Sequence, residues 1–205
     1  MARADGMTAA RLRALYPAPT GRAAVKVLDH LDKHCCRFLE NSPFAILATT
    51  TGTELDISPK GDPYGFVVIE DETHILLPDR PGNNRLDGML NILENPAVAL
   101  LFLIPGVNES LRVNGTAEIL EDDVLREMCS VNGKEPLTVI RVTVQEAFIH
   151  CGKAMMRSGL WRGESWPQER PIATLGQMTA DQSGDADSPI ESEAAMLQRY
   201  RRVLY

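Results

Sequence analysis

The chain has 205 residues, of which 44% are hydrophobic and 24% charged, and its formal net charge is −7. This length suits one core of ordinary domain size with peripheral helices, and no segment reaches the ~18 uninterrupted apolar residues needed to span a membrane. An acidic chain is poorly suited to binding nucleic acids, which are bound through clustered lysine and arginine. The first 21 residues lack the apolar stretch of a secretory signal, so we expect a cytoplasmic protein.

The first long element is an amphipathic helix predicted from Ala23 to Asn41, where apolar residues recur every three or four positions. Pro43 ends it, since proline disfavours helical geometry in the preceding residue. Seven β-prone runs follow, separated by Gly, Pro, Asn and Asp. They are Phe44–Thr50, Leu55–Lys60, Tyr64–Glu70, His74–Leu77, Ala97–Ile104, Ser110–Leu120 and Thr138–Cys151.

Two shorter helices interrupt these runs, one over residues 84–95 and one over residues 122–129. The pair Asp71-Glu72 predicts a hairpin turn, whereas Asn114-Gly115 lies inside a β-prone run and predicts a bulge. Short strands with this punctuation indicate an α+β, mainly β protein built on a barrel.

The last part of the chain changes character after Cys151. The polar stretch 179–189 is expected to be a mobile loop, and the spacing of apolar residues from Ile190 to Tyr205 predicts a terminal helix. We therefore divide the chain into an N-terminal helical segment (1–42), a barrel domain (43–151) and a C-terminal extension (152–205).

The first candidate binding group lies in the sequence DISPKGD, where a strand gives way to a turn. Strand alternation places Asp56, Ser58 and Lys60 on one face. This face predicts either a hydrogen-bonding wall for a polar ring or simply a solvated end of a hairpin.

The second candidate group is the sequence PDRPGNNRLD, just ahead of the predicted helix at residue 84. Unpaired backbone N–H groups at a helix start, together with the guanidinium groups of Arg80 and Arg85 and the side-chain amides of Asn83 and Asn84, form a suitable phosphate site. The alternative is that Asn83 or Asn84 merely caps the helix and that Arg85 is exposed or paired with Asp79.

The third candidate group follows the last strand and comprises Lys153, Arg157, Ser158, Leu160 and Trp161. Arginine and tryptophan can close over an aromatic ligand by stacking and cation–π contact, or can pack against a neighbouring subunit.

Other common kinds of site lack their sequence signals. The four cysteines contain no C-x-x-C pair and no histidine is placed to complete a zinc site, so we predict free thiols and no metal. There is no P-loop and no G-x-G-x-x-G motif, and no catalytic residue is assigned.

Five sequence strings, taken in order, resemble the pyridoxamine 5′-phosphate oxidase-like family of flavin-binding split barrels. They are F-L-x-x-S-P-F-A-I-L-A-T, D-I-S-P-K-G-D, L-P-D-R-P-G-N-N-R-L-D, N-I-L-E-N-P-A-V-A-L-L-F and L-R-V-N-G-T-A-E-I. A later string, C-x-K-A-x-x-R-S-x-L-W from Cys151 to Trp161, resembles the C-terminal element of one branch of that family. The resemblance covers roughly residues 37–161.

This resemblance implies a six-stranded antiparallel split β-barrel with flanking helices that forms a homodimer, with flavin mononucleotide (FMN) in a cleft between the subunits. By motif, Arg80, Asn84 and Arg85 would hold the phosphate, Ser58, Pro59 and Lys60 would lie along the ring, and the second subunit would contribute Arg157, Ser158 and Trp161.

The implied function is that of an FMN-dependent oxidoreductase acting on an unidentified small molecule. The alternatives are a non-catalytic flavin or haem carrier or sensor, or a dimeric structural protein whose site is empty. The substrate-binding C-terminal arginine and histidine pattern of true pyridoxamine phosphate oxidases has no match here, so the resemblance does not extend to their reaction.

Overall fold

A single antiparallel sheet organises the protein. The structure, a computed structural model, describes residues 6–184 and 190–205. Seven strands lie in these ranges: β1 (Phe44–Thr50), β2 (Leu55–Gly61), β3 (Val68–Ile69), β4 (His74–Pro78), β5 (Ala97–Leu103), β6 (Ser110–Leu120) and β7 (Val139–His150). Their order in the sheet is β2-β1-β5-β6-β7-β4-β3. The mainly β split-barrel fold is thus confirmed, with the two-residue β3 as a strand beyond the six expected.

The two long central strands divide the sheet into halves. The first half of β6 pairs with β5, from Ser110 to Thr116. The first half of β7 pairs with β4, from Val139 to Thr143, and lies opposite the second half of β6. The register shifts between Asn114 and Gly115, where the two halves meet, which confirms the predicted bulge. Such a bulge bends its strand and increases the local twist.

Gly115 is required at this junction because two strands approach closely there. A Cβ atom on this residue would lie 1.9 Å from the backbone oxygen of Thr143. No side chain fits that distance, so the bulge selects glycine.

The core lies between the two halves. Alternate residues of β1 are buried, and Leu47 on β1 belongs to the same buried cluster as Phe102 on β5 and Ile75 on β4. Since β1 and β4 are separated by β5, β6 and β7 in the sheet order, their common core requires the sheet to curl over itself. Full burial of such a side chain contributes roughly 1.5–3 kcal/mol.

Helices surround this sheet and close the chain at both ends. They are α1 (Ala9–Leu15), α2 (Arg22–Val25), α3 (Lys33–Glu40), α4 (Asp87–Glu94), α5 (Asp123–Met128), α6 (Lys153–Ser158), α7 (Leu175–Ser183) and α8 (Glu193–Arg202). The predicted helices over 84–95, 122–129 and 190–205 are confirmed as α4, α5 and α8, each slightly shorter. No helix in the two described ranges has the length and hydrophobicity that a membrane crossing requires.

The single helix predicted from Ala23 to Asn41 is wrong. The chain is not helical between α2 and α3, where Leu28 forms a bridge to Ala147 of β7 with hydrogen bonds of 3.0 and 2.8 Å. Asp32 then starts α3, because its Oδ1 accepts from the N–H groups of His34 and Cys35. The apolar spacing alone favours one continuous helix. The pairing of Leu28 with β7 and the Asp32 cap interrupt it.

The prediction for residues 64–70 is correct only at its end. The chain turns at Gly65, which has a φ of +76°, and the side chains of Phe66 and Val67 enter the core. Only Val68 and Ile69 pair with β4, and the reversal at Asp71-Glu72 is confirmed as the connection between these strands.

The mobile loop expected over 179–189 is wrong for its first part. Residues 179–183 belong to α7, which begins where the Thr174 side chain accepts from the Gln177 N–H at 3.2 Å. Residues 185–189 of this stretch lie outside the described residues.

Candidate functional site

Strand β2 forms one wall of the candidate site. Asp56, Ser58 and Lys60 alternate with Ile57 and Pro59, the first three being half-buried and the last two exposed. This agrees with the predicted alternation. The strand lies at the edge of the sheet, a position that accepts Pro59 because an edge strand leaves one row of N–H groups unpaired in any case.

The loop after β4, residues 79–86, contacts the end of β2 through two ion pairs. Lys60 Nζ lies 3.7 Å from Asp79 Oδ1, and Arg80 Nε donates to Asp62 Oδ2 at 2.5 Å. β2 and β4 belong to different halves of the sheet, so these contacts close the curled sheet at this point. The first two predicted groups are therefore neighbours in space.

Arg80 is largely covered by its surroundings. Its side chain is 15% exposed and that of Asp62 is 2% exposed, and Arg80 Nη2 donates to the backbone oxygen of Cys129 at 2.8 Å. Burial raises the pKa of the Cys129 thiol to about 11, an effect that the charge of Arg80 opposes. This guanidinium is accordingly held in one orientation.

Tyr205 closes the same cluster from the far end of the chain. Its hydroxyl donates to Asp62 Oδ1, and its ring centroid lies 5.9 Å from Arg80 Cζ. The hydrogen bond to Asp62 raises the pKa of Tyr205, since it stabilises the protonated phenol.

The start of α4 has no capping side chain. The residue before the helix is Leu86, which makes no capping bond, while the Asn83 side chain accepts from the Arg85 N–H at 3.0 Å. The alternative that Asn83 or Asn84 caps α4 is therefore wrong. Asn84 and Leu86 both have φ of +58°, a left-handed conformation that is strained for leucine.

Arg85 lies exposed at the surface beside this helix start, as one of the predicted alternatives has it. Its side chain is 72% exposed and its Nε donates to Asp87 Oδ2 at 2.7 Å, an interaction that raises the pKa of Arg85. The predicted alternative pairing with Asp79 is not formed, since Asp79 pairs with Lys60. Arg85 can turn toward a ligand with little rearrangement.

Close packing of α4 holds this helix start against β2. A Cβ atom on Gly88 would lie 3.0 Å from Asp56 Oδ2, and Asn91 Nδ2 donates to Thr49 Oγ1 of β1 at 3.2 Å. The first turn of α4 therefore lies beside the row of side chains that contains Ser58 and Lys60.

The third predicted group lies elsewhere in the chain. Arg157 and Ser158 are exposed at the end of α6, and Trp161 lines a cavity of about 420 Å³ together with Met155 and Asn108. The indole Nε1 of Trp161 is buried without a hydrogen-bond partner among the described residues. This group follows β7 in the sequence. In the sheet, β7 is separated from β2 by β1, β5 and β6. Within the described ranges, no hydrogen bond or ion pair joins it to the other two groups.

Sequence reasoning missed two residues of the Arg80 cluster, Asp62 and Tyr205. Asp62 ends the string DISPKGD, but no local pattern pairs it with Arg80, 18 residues further along the chain. Tyr205 lies 143 residues from Asp62 along the chain, and no local pattern predicts contact over that separation.

A family model described as pyridoxamine 5′-phosphate oxidase matches residues 31–151, more than half of the chain. The chain belongs to the pyridoxamine 5′-phosphate oxidase family. The match includes every strand and both site-forming segments, β2 and the loop 79–86, but ends before Arg157. No curated protein sequence matches the chain.

Several solved structures are similar to this chain at low identity. HupZ of Group A Streptococcus is 19% identical, with 58% of this chain and 92% of that chain covered and a TM-score of 0.47. A candidate pyridoxamine 5′-phosphate oxidase from Lactobacillus delbrueckii is 20% identical over 60% of this chain and 99% of that chain, with a TM-score of 0.48. A NimC/NimA family protein from Clostridium acetobutylicum is 14% identical over 58% and 86%, with a TM-score of 0.45. At these values the family assignment rests on the family model.

Proposed function

We propose that this protein binds FMN at the cluster formed by β2 and the loop 79–86, and that it is a flavin-dependent oxidoreductase acting on a small molecule. One observation carries the proposal, namely the contact of the β2 end with that loop through the Lys60–Asp79 and Arg80–Asp62 pairs. This contact brings Lys60 and Arg80, each paired with an aspartate, to the end of β2, while Arg85 is exposed beside an uncapped helix start. Family membership supports the same ligand class.

The donors present fit a phosphate at one end and a polar ring at the other. The Arg85 guanidinium and the Asn84 amide are exposed at the start of α4, whose first N–H groups have no side-chain acceptor. N–H groups and guanidinium groups are the usual phosphate ligands. Arg80, whose charge is paired with Asp62, would be the third phosphate ligand.

Ser58, Pro59 and Lys60 would lie along the ring. The ring would supply hydride or electron transfer to or from the substrate. The Lys60 ammonium, about a quarter exposed and weakly paired with Asp79, would stabilise negative charge on the reduced ring.

A second copy of the chain would complete the site. Arg157, Ser158 and Trp161 are not joined to the other groups within one chain, and large apolar side chains are exposed on the other face of β2 and on α4. On β2, Leu55 and Ile57 are 84% and 69% exposed, and Leu93 on α4 is 71% exposed. Large apolar side chains exposed on two neighbouring elements favour a subunit interface, so the proposed assembly is a homodimer with shared sites.

The absorption spectrum of the purified protein, before and after incubation with FMN, tests the proposal. We expect a flavin spectrum and a rise in melting temperature on FMN addition, because a ligand at 100 times its Kd stabilises the folded state by roughly 2.7 kcal/mol. If saturating FMN changes neither the spectrum nor the melting temperature, the chain does not bind it. Anaerobic bleaching by NADH, NADPH or candidate amines then separates an enzyme from a carrier.

Replacing Lys60 with alanine is expected to lower the midpoint potential of the bound flavin by about 30 mV, equivalent to roughly 1.4 kcal/mol for a two-electron couple. The reason is that the anionic reduced ring loses a nearby positive charge. Spectroscopic redox titration measures the shift, and Lys33→Ala, on the exposed side of α3, is the matched control. An unchanged potential and affinity in Lys60→Ala would show that Lys60 does not face the ring.

A further inference from the structure

The last residues of the chain lie against Arg80, one of the three candidate phosphate ligands. Tyr205 donates its hydroxyl to the buried Asp62 carboxylate, and its ring lies 5.9 Å from the Cζ of Arg80. Its backbone oxygen accepts from Lys134 Nζ at 2.7 Å. With these contacts in place, only 15% of the Arg80 side chain is exposed.

The segment that carries Tyr205 is otherwise loosely attached. Helix α8, which precedes it, buries no residue. Val203 and Leu204 are each 56% exposed, and the bond from Lys134 lies at the surface. Few buried contacts therefore oppose displacement of this segment, which suits a part of the structure that moves during ligand binding.

We propose that residues 203–205 form a latch that covers Arg80, and that the phosphate of an incoming ligand displaces it. The identity of the ligand, FMN, rests on the proposed function. The latch itself rests on the contacts of Tyr205.

The ligand phosphate and Tyr205 compete for the Arg80 guanidinium. Nε is occupied by Asp62 and Nη2 by the backbone oxygen of Cys129, and the Tyr205 ring lies against the same group. A phosphate that contacts Arg80 must reach surface that Tyr205 now covers. The measured affinity is then the intrinsic affinity reduced by the fraction of molecules in which the latch is open.

The latch predicts that Tyr205→Ala binds FMN about tenfold more tightly than the unmodified chain, as expected when one hydrogen bond to a charged group no longer holds the closed state. Tyr205→Phe, which keeps the ring and loses the bond to Asp62, is expected to lie between the two. Quenching of flavin fluorescence measures the dissociation constants. Tyr200→Ala is the matched control, because Tyr200 lies on α8 with its ring on Arg199.

Riboflavin separates the phosphate from the ring, since it has the same ring and no phosphate. We expect Tyr205→Ala to leave riboflavin affinity unchanged, and FMN but not riboflavin to increase hydrogen exchange in residues 199–205. Equal or weaker FMN binding by Tyr205→Ala, or unchanged exchange at saturating FMN, would overturn the latch while leaving the proposed function intact. If neither flavin binds any variant, the proposed function fails and the latch fails with it.

Discussion

Replacing Gly115 with alanine is expected to destabilise the protein by about 3 kcal/mol or more, the upper range for an added methyl group in a tightly packed site. The new Cβ would lie 1.9 Å from the Thr143 oxygen and 3.0 Å from its carbonyl carbon. Both atoms are backbone, so β6 and β7 must separate where the two halves of the sheet meet. Urea unfolding measures the change in the free energy of unfolding.

Gly163→Ala is the control for this experiment, because no atom lies within 4 Å of the position that its Cβ would take. We expect its stability to stay within about 0.5 kcal/mol of the unmodified protein. A Gly115→Ala protein as stable as this control would mean that the strands do not approach as closely at the bulge as the structure shows.

The bulge also illustrates which parts of the fold the sequence predicts. Asn114-Gly115 interrupts a run that keeps its strand character on both sides, so a local signal and the register shift agree. The alternation of β2, the reversal at Asp71-Glu72 and helix α4 were predictable for the same reason. Each depends on neighbouring residues and on the periodicity of one element.

Failures arose where a distant element determines the local conformation. Residues 26–31 have helical apolar spacing, but Leu28 exchanges both backbone hydrogen bonds with Ala147, more than one hundred residues away in sequence. Phe66 and Val67 have strand propensity, but the core takes their side chains in an irregular segment. Propensity is a weak preference that tertiary contacts override.

In the candidate site, too, some features depend on local sequence and others on contacts between distant elements. Two of its groups, Ser58 to Lys60 and Arg80 to Arg85, are each short in sequence, so residue type and order alone were enough to select them as candidates. Their mutual contact through Asp62 and Asp79 depends on the curling of the sheet, and the contribution of Tyr205 depends on the path of the last helices. That Arg80 already has a carboxylate partner could not be derived from spacing.

This partner leads to the second large expected effect, at Asp62. Replacing Asp62 with alanine is expected to cost about 3 kcal/mol, because breaking a buried ion pair from one side leaves the other charge uncompensated. The Asp62 and Arg80 side chains are 2% and 15% exposed, so water can replace the lost carboxylate only in part. Chemical denaturation measures the loss. Glu40→Ala, which breaks the exposed Arg37–Glu40 pair, is expected to change stability by less than about 0.5 kcal/mol.

The double variant Asp62→Ala, Arg80→Met distinguishes an uncompensated charge from a simple loss of packing. Removing both charges takes away the unpaired guanidinium, so the double variant is expected to be more stable than Asp62→Ala alone. A double variant whose destabilisation equals the sum of the two single changes would contradict the pair as an energetic unit. The same cycle in a Tyr205→Ala background measures how far the phenol contributes, since Tyr205 donates to the carboxylate that holds Arg80. A smaller coupling energy in that background is expected, because without Tyr205 water reaches both partners and screens their attraction.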